Sequence, residues 1–370
     1  MKRLVSFLAL AAASVSFAQS TPTADDQARF LAGLPPQEGS PLFELAQRGE
    51  FARHAKGLDT AWEDVEKRQL GSIRGWMQET HPQLVADTAP LLYVFSGPDF
   101  LHANTFYPNA STYVLCGIEP VGTPPDVTQL GGDSLDHSLR NLRNSLEAIL
   151  SFSFFITSDM KNDFSANATK LNGTIPVIYT FLARSGCHID SVALIGLDKD
   201  GKEGPLEGSK HPGVKIGFTG KAGQKQTVYY FSTNLASYMI KQDPGFVRFC
   251  EALGAPNGFT KSASYLMHLE EFELVRDLLL AKCTTLLQDD TGVMWKDFPR
   301  DVWTPKAYGW YPGPIARFKE KYQSDLAAVY KAGDVPPIPF GIGYNWRPKM
   351  STLIFAQAKR EPAKALPVKE

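Results

Sequence analysis

The stretch LYVFSGPDFLHANTFYPNASTYVLCGIEP, residues 92–120, constrains the fold more than any other part of the chain. Two short apolar runs, LLYVFS (91–96) and STYVLCGIE (111–119), are rich in β-branched and aromatic residues and are bounded by Gly, Pro and Asn. Runs of that kind read as strands. The segment between them is polar enough for a short helix and too long for a tight hairpin, so the three pieces predict a βαβ unit. In a parallel sheet the strand-to-helix turns gather at the carboxyl ends of the strands, where ligands bind.

Ser96-Gly97-Pro98-Asp99 is the turn of this unit. Glycine permits a tight reversal and Ser96 suits a helix cap. Pro98 fits a first helical turn, and Asp99 complements the positive helix end. His102 follows Asp99 by three residues and therefore shares its helix face. A hydroxyl, a carboxylate and an imidazole in one small volume are the groups of nucleophilic and acid–base catalysis, which makes Ser96, Asp99 and His102 the candidate catalytic set. The plainer reading of the same letters is that Ser96 and Asp99 are caps and Glu119 a solvated strand end.

The order of strand, glycine turn, helix, strand and acid over residues 91–119 resembles the cofactor half of Rossmann-type methyltransferases, whose acid binds a ribose. The resemblance implies Gly97 and Glu119 as cofactor contacts. A single glycine stands where that family has two or three, and Asp99 places a carboxylate where the cofactor would approach. Methyl transfer is therefore not expected, and no particular cofactor follows from the sequence.

Elsewhere, DDQARFLAGL and LDTAWEDVEKRQLGSIRGWMQET space apolar residues three or four apart, which predicts helices in a region 19–85. Leu135, Leu139, Leu142, Leu146 and Ile149 fall on one face of a further helix. TIPVIYTFLARSG is helical to a Gly186 cap, HIDSVALIGLD is a strand, and GVKIGFTG with QKQTVYYFSTN forms a hairpin around Lys221-Ala222-Gly223. PGFVRFCEALG and MHLEEFELVRDLLLAKC are helices, and TTLLQDDTG returns to strand and turn. An aromatic and proline-rich segment, 298–347, holds a helix over 314–331 and has the flat aromatics of a sugar-stacking surface or a pinned loop. STLIFAQ is a last strand, and 358–370 reads as a disordered tail. Strands alternating with helices predict an α/β sandwich with a mixed, largely parallel sheet, organised as one domain over 86–357.

Composition narrows the setting. Residues 1–18 have a basic tip, an apolar run and a small-residue close at Ser16-Phe17-Ala18, the layout of a bacterial-type signal peptide cleaved after Ala18. A secreted or periplasmic location is expected, with no membrane span. A net charge of −1 gives no electrostatic reason to expect nucleic acid. Cys116, Cys187, Cys250 and Cys283 never form a CxxC pair, so they are buried thiols or one or two disulfides of open connectivity.

Two motifs mislead. Gly132-Asp133-Ser134-Leu135 spells the GDSL of a serine-hydrolase family, but the residues before it make a poor strand and no DxxH pair follows it near the end of the chain, where that family has one. Asp290-Thr291-Gly292 resembles the aspartic-protease loop but lacks both its apolar lead and its twin. Asp289 and Asp290 do adjoin a strand end, where carboxylates could hold a divalent cation, and they are the candidate metal ligands. SGPDFLHANTFYPNASTYVLCGIEP, YYFSTNLASYM, KSASYLMH and LLQDDTG together resemble a group of exported bacterial hypothetical proteins, a likeness that implies location and no mechanism. The expectation is an exported α/β protein that binds a small molecule or a protein partner at the strand ends. The alternative is a hydrolase using Ser96, Asp99 and His102 with nearby carboxylates.

Overall fold

The computed structural model describes residues 21–130, 133–155 and 171–359. The expected signal segment 1–18 and the residues beyond Lys359, where a tail is expected, lie outside them. The strands form one mixed sheet in the order β4-β3-β5-β6-β2-β1-β7-β8-β10-β9. Its middle is parallel: β6 (Lys225–Ser232), β2 (Thr112–Gly117), β1 (Leu91–Tyr93), β7 (Asn257–Thr260) and β8 (Thr285–Gln288) run the same way. The flanks are antiparallel. β3 (His188–Leu197), β4 (Glu203–Gly204) and β5 (His211–Thr219) extend one side, and β10 (Thr352–Ala358) inserts between β8 and β9 (Trp303–Gly309) on the other. Parallel pairing is thus confined to five contiguous strands rather than dominating the sheet.

Alternation along the strands divides the apolar residues between two clusters. Tyr93, Tyr113, Leu115, Tyr230 and Phe259 join one; Leu92, Val114, Cys116, Phe231 and Leu286 join the other. The first cluster receives α1 (Ala24–Leu31), α2 (Gly49–Val65), α3 (Gly71–Thr80), α4 (Phe100–Phe106), α5 (Asp133–Phe152) and α6 (Ile175–Arg184). The second receives α7 (Ser237–Gln242), α8 (Gly245–Ala252), α9 (Glu273–Lys282) and α10 (Ser324–Lys331). Among the described residues no helix is long and apolar enough to cross a membrane.

Local signals explain the elements. Thr23 and Asp26 close a capping box on α1. The five apolar positions of α5 are all buried, as their spacing requires. Gly186, at φ 77°, ends the α6 segment in the left-handed conformation that glycine adopts without strain. Two expected helices differ: MHLEEFELVRDLLLAKC is α-helical only from Glu273, after two 3₁₀ turns, and residues 314–331 are not a single helix. A 3₁₀ segment, Ala316–Lys321, stops before α10 because Gln323 is used as a brace. Its amide N–H donates to the Tyr311 hydroxyl (2.7 Å), its Nε2 donates to the Asp290 carbonyl (2.9 Å), and its Oε1 accepts from the Trp295 N–H (2.9 Å). All four cysteines are buried free thiols.

Candidate functional site

The chain leaves β1 toward β2 and leaves β7 toward β8, although β1 and β7 are neighbours. In open α/β sheets the crevice outside two strands whose connections part in this way is where ligands bind. Asp99 follows β1 and Lys261 follows β7, so the topology brings these two charges to that point.

Asp99 is buried and its carboxylate accepts four hydrogen bonds. Oδ1 takes the His102 backbone N–H (3.1 Å) and the His102 Nδ1–H (3.0 Å); Oδ2 takes the Tyr93 hydroxyl (2.9 Å) and Lys261 Nζ (2.9 Å). Asp99 therefore does cap α4, but it also anchors a network. Burial alone would raise its pKa; the charges and hydrogen bonds of His102 and Lys261 outweigh that and hold the carboxyl below the usual carboxylate range. Burial lowers the pKa of His102; Asp99 opposes this and Lys261 adds to it. The ring is thus neutral at neutral pH. Because Nδ1 donates to Asp99, the hydrogen bonds assign the tautomer that leaves Nε2 bare.

What faces that bare nitrogen is a serine, though not the expected one. Ser153 Oγ lies 3.2 Å from His102 Nε2. Ser153 follows the last residue of α5, and its φ of 72° is left-handed, a conformation that costs a non-glycine residue about 1–3 kcal/mol. Lys261 Nζ also donates to the Ser153 carbonyl oxygen, so one ammonium holds both ends of the Asp99–His102–Ser153 line. Gln69, on a π-helical turn between α2 and α3, is fixed by an Nε2–H···O bond to Gly341 (2.7 Å) and points Oε1 toward His102 Nε2 at 3.4 Å. That oxygen is suited to accept from the ring only once Nε2 carries a proton.

Ser96 stands apart from this line. Its hydroxyl donates to the Gly97 carbonyl (2.8 Å) and accepts from the Cys116 N–H (3.0 Å), which ties the turn after β1 to the end of β2. A buried turn needs its backbone groups paired, and Ser96 meets that need instead of facing His102. Gly97 (φ 55°) and Glu119 are brought together: a Cβ on Gly97 would stand 3.8 Å from Glu119 Oε2. Glu119 is buried and not a solvated strand end; its Oε2 lies 3.3 Å from the Tyr230 hydroxyl, which donates to the Glu119 carbonyl at 2.9 Å.

Asp289 and Asp290 are buried at the end of β8 and serve the loop after β7. Asp289 accepts from the N–H groups of Ser262 (2.9 Å) and Thr291 (2.9 Å), and Asp290 accepts from the Tyr265 hydroxyl (2.8 Å). Burial raises both pKa values, and Asp289 raises that of Asp290 further. Ser262, Ser264 and Tyr265 all have φ between 49° and 56°, so this pair fastens a strained loop that begins at Lys261. Among the described residues no group of three or more His, Cys, Asp or Glu side chains is placed to hold a metal ion.

Asp99 and His102 were reachable from sequence because three residues separate them on a helix. Lys261 carries a weaker sign, a lysine two positions beyond Phe259 and so on the same strand face. Ser153 carries none: it lies in the apolar run FSFF, far along the chain from its partners. Compared with known proteins, no family model, curated protein or solved structure matches this chain.

Proposed function

We propose that the chain is a hydrolase acting on esters or similarly activated acyl compounds. Ser153 is the nucleophile, His102 the general base and Asp99 the group that orients it. The observation that carries this reading is the unbroken line Asp99 Oδ1–His102 Nδ1 (3.0 Å) and His102 Nε2–Ser153 Oγ (3.2 Å). The residue roles match those of convergent serine hydrolases, which are recognised by geometry and not by sequence position. Ser153 Oγ attacks the acyl carbon while its proton passes to His102 Nε2. The imidazolium then gives that proton to the departing alkoxide, and water repeats the two steps to free the acid. Asp99 and the Gln69 Oε1 each face one nitrogen of the ring and favour its protonated form. Lys261 keeps Asp99 ionised and fixes the backbone of the nucleophile.

A fluorophosphonate probe tests this directly, since it reacts only with an activated serine. Labelling is expected on Ser153, retained in Ser96→Ala and lost in Ser153→Ala and His102→Gln. Labelling equally strong in Ser153→Ala would sink the reading.

A second reading is binding without turnover at the same strand ends. Ser153 and His102 are both 0% exposed, which favours it, and Gly97 and Glu119 would serve as ligand contacts. The strand order around β1 supports a Rossmann-like description of the 91–119 unit. The loop after β1 does not fit S-adenosylmethionine: Asp99 is committed to Lys261 and His102, and Glu119 is folded back on Tyr230.

A further inference from the structure

The residues on either side of Ser153 begin a continuous aromatic surface. The Phe152 ring lies 5.4 Å from Trp346, and Phe154 lies 5.0 Å from Tyr344, which lies 5.5 Å from Phe318. These rings come from three separate segments that meet beside Lys261: the end of α5, the loop at 344–346 and the 3₁₀ segment before α10. Tyr344 is locked in place by its hydroxyl, which bonds to Ser264 (2.9 Å) and to the Ser262 carbonyl (3.0 Å). Phe152 is 39% exposed and Trp346 is partly exposed, so the surface reaches solvent.

The surface carries cationic groups over two of its rings. The Arg347 guanidinium lies 5.3 Å from the Trp346 ring centroid and that of Arg317 lies 5.9 Å from Phe318. Both arginines are exposed, and among the described residues no ion pair engages either one. Arg68, also over Trp346 at 5.8 Å, is already paired with Asp64. A cluster of mutually tilted aromatic rings carrying unpaired guanidinium groups over two of them is complementary to an aromatic ring that bears an anionic substituent.

We infer that the acyl compound attacked by Ser153 is an aromatic one bearing a carboxylate or another anion on its ring. The ring packs against the exposed Phe152 beside Trp346, and the anion is drawn by the exposed guanidinium groups, Arg347 first and Arg317 at longer range. This inference rests on the hydrolase reading for its chemistry, but the recognition surface is measurable without it.

Two measurements on the full chain separate the two. Fluorophosphonates with a carboxynaphthyl arm and with a pentyl arm are compared for labelling rate, and 2-naphthoate and hexanoate are compared for binding by calorimetry. The carboxynaphthyl probe is expected to label about tenfold faster, and 2-naphthoate to bind about tenfold tighter. Trp346→Ala should bring both ratios near one. The surface double variant Arg317→Gln, Arg347→Gln, which keeps every ring of the cluster, should reduce both by several-fold. Labelling without aryl preference overturns this inference and leaves the hydrolase reading standing. Arginine-dependent binding of 2-naphthoate with no labelling supports the recognition surface and overturns the hydrolase reading. Equal, weak binding of both acids in the unaltered protein overturns the inference whatever the probes do.

Discussion

The two ends of strands β1 and β7 are built from different materials. At the amino ends, Asn257 Nδ2 donates to Asp87 (2.7 Å) and the Thr284 hydroxyl donates to Asn257 Oδ1 (3.3 Å). These neighbours are short polar groups with ordinary backbone angles. At the carboxyl ends, a carboxylate, an ammonium and an imidazole are buried together, and Phe95, Ser153, Ser262, Ser264 and Tyr265 all have positive φ. Strand pairing is the same at both ends, so the sheet itself does not require the difference. Strained backbone and buried titratable groups raise the free energy of the folded state and persist only where the surroundings over-determine them. The contrast therefore supports the proposal that the carboxyl end is the working end and the amino end a plain joint.

The sharpest way to break this comparison is to remove one carboxylate at each end. Asp99→Ala strands the Lys261 ammonium in the interior and should destabilise by about 3–5 kcal/mol in a denaturant titration. Asp87→Ala, at the half-buried amino end, should cost only about 1 kcal/mol. Comparable losses would mean that the two ends are not different in kind.

A smaller effect tests the pH behaviour of the working end. Asp290 has a folded pKa above its unfolded value, so the folded state holds a proton that the unfolded state releases. Its contribution is present at low pH and is lost as pH rises through the folded pKa. Relative to the unaltered protein, Asp290→Asn should melt a few degrees higher at about pH 8 than it does at about pH 5. His102 runs the opposite way: its folded pKa is lowered, so its contribution falls as pH drops below about 6.5. A pH-independent difference between Asp290→Asn and the unaltered protein would remove Asp290 from the account. The smallest effect belongs to Ser153→Gly. Glycine accepts a φ of 72° without strain, so this variant should be more stable than Ser153→Ala, which loses the same hydroxyl, by about 1 kcal/mol, while both lose all fluorophosphonate labelling. A Ser153→Gly variant no more stable than Ser153→Ala would mean that the backbone there is not strained.

The sequence speaks clearly where the physics is local. The stripe of α5, the turn at Lys221-Ala222-Gly223 and the i,i+3 pairing of Asp99 with His102 all follow from periodicity and from residue chemistry within a few positions. It is silent where a side chain's role depends on distant partners. Ser96 has the letters of a nucleophile, yet it is occupied by the backbone of β2. Ser153 has the letters of a core segment, yet Lys261 and His102, delivered by two other elements, give it its setting. The break in residues 314–331 has the same cause, since Gln323 answers to Asp290, Tyr311 and Trp295 rather than to its own helix.

The insertion of β10 between β8 and β9 has a consequence for synthesis. β9 is made first, but its pairing partner in the sheet is β10, which ends at Ala358. During translation β9 therefore waits with its ladder unpaired, and β8 with one edge bare, until Thr352–Ala358 have been made. The side of the sheet next to Asp289 and Asp290 is the last to close, so the buried charges there are enclosed only after β10 has been made.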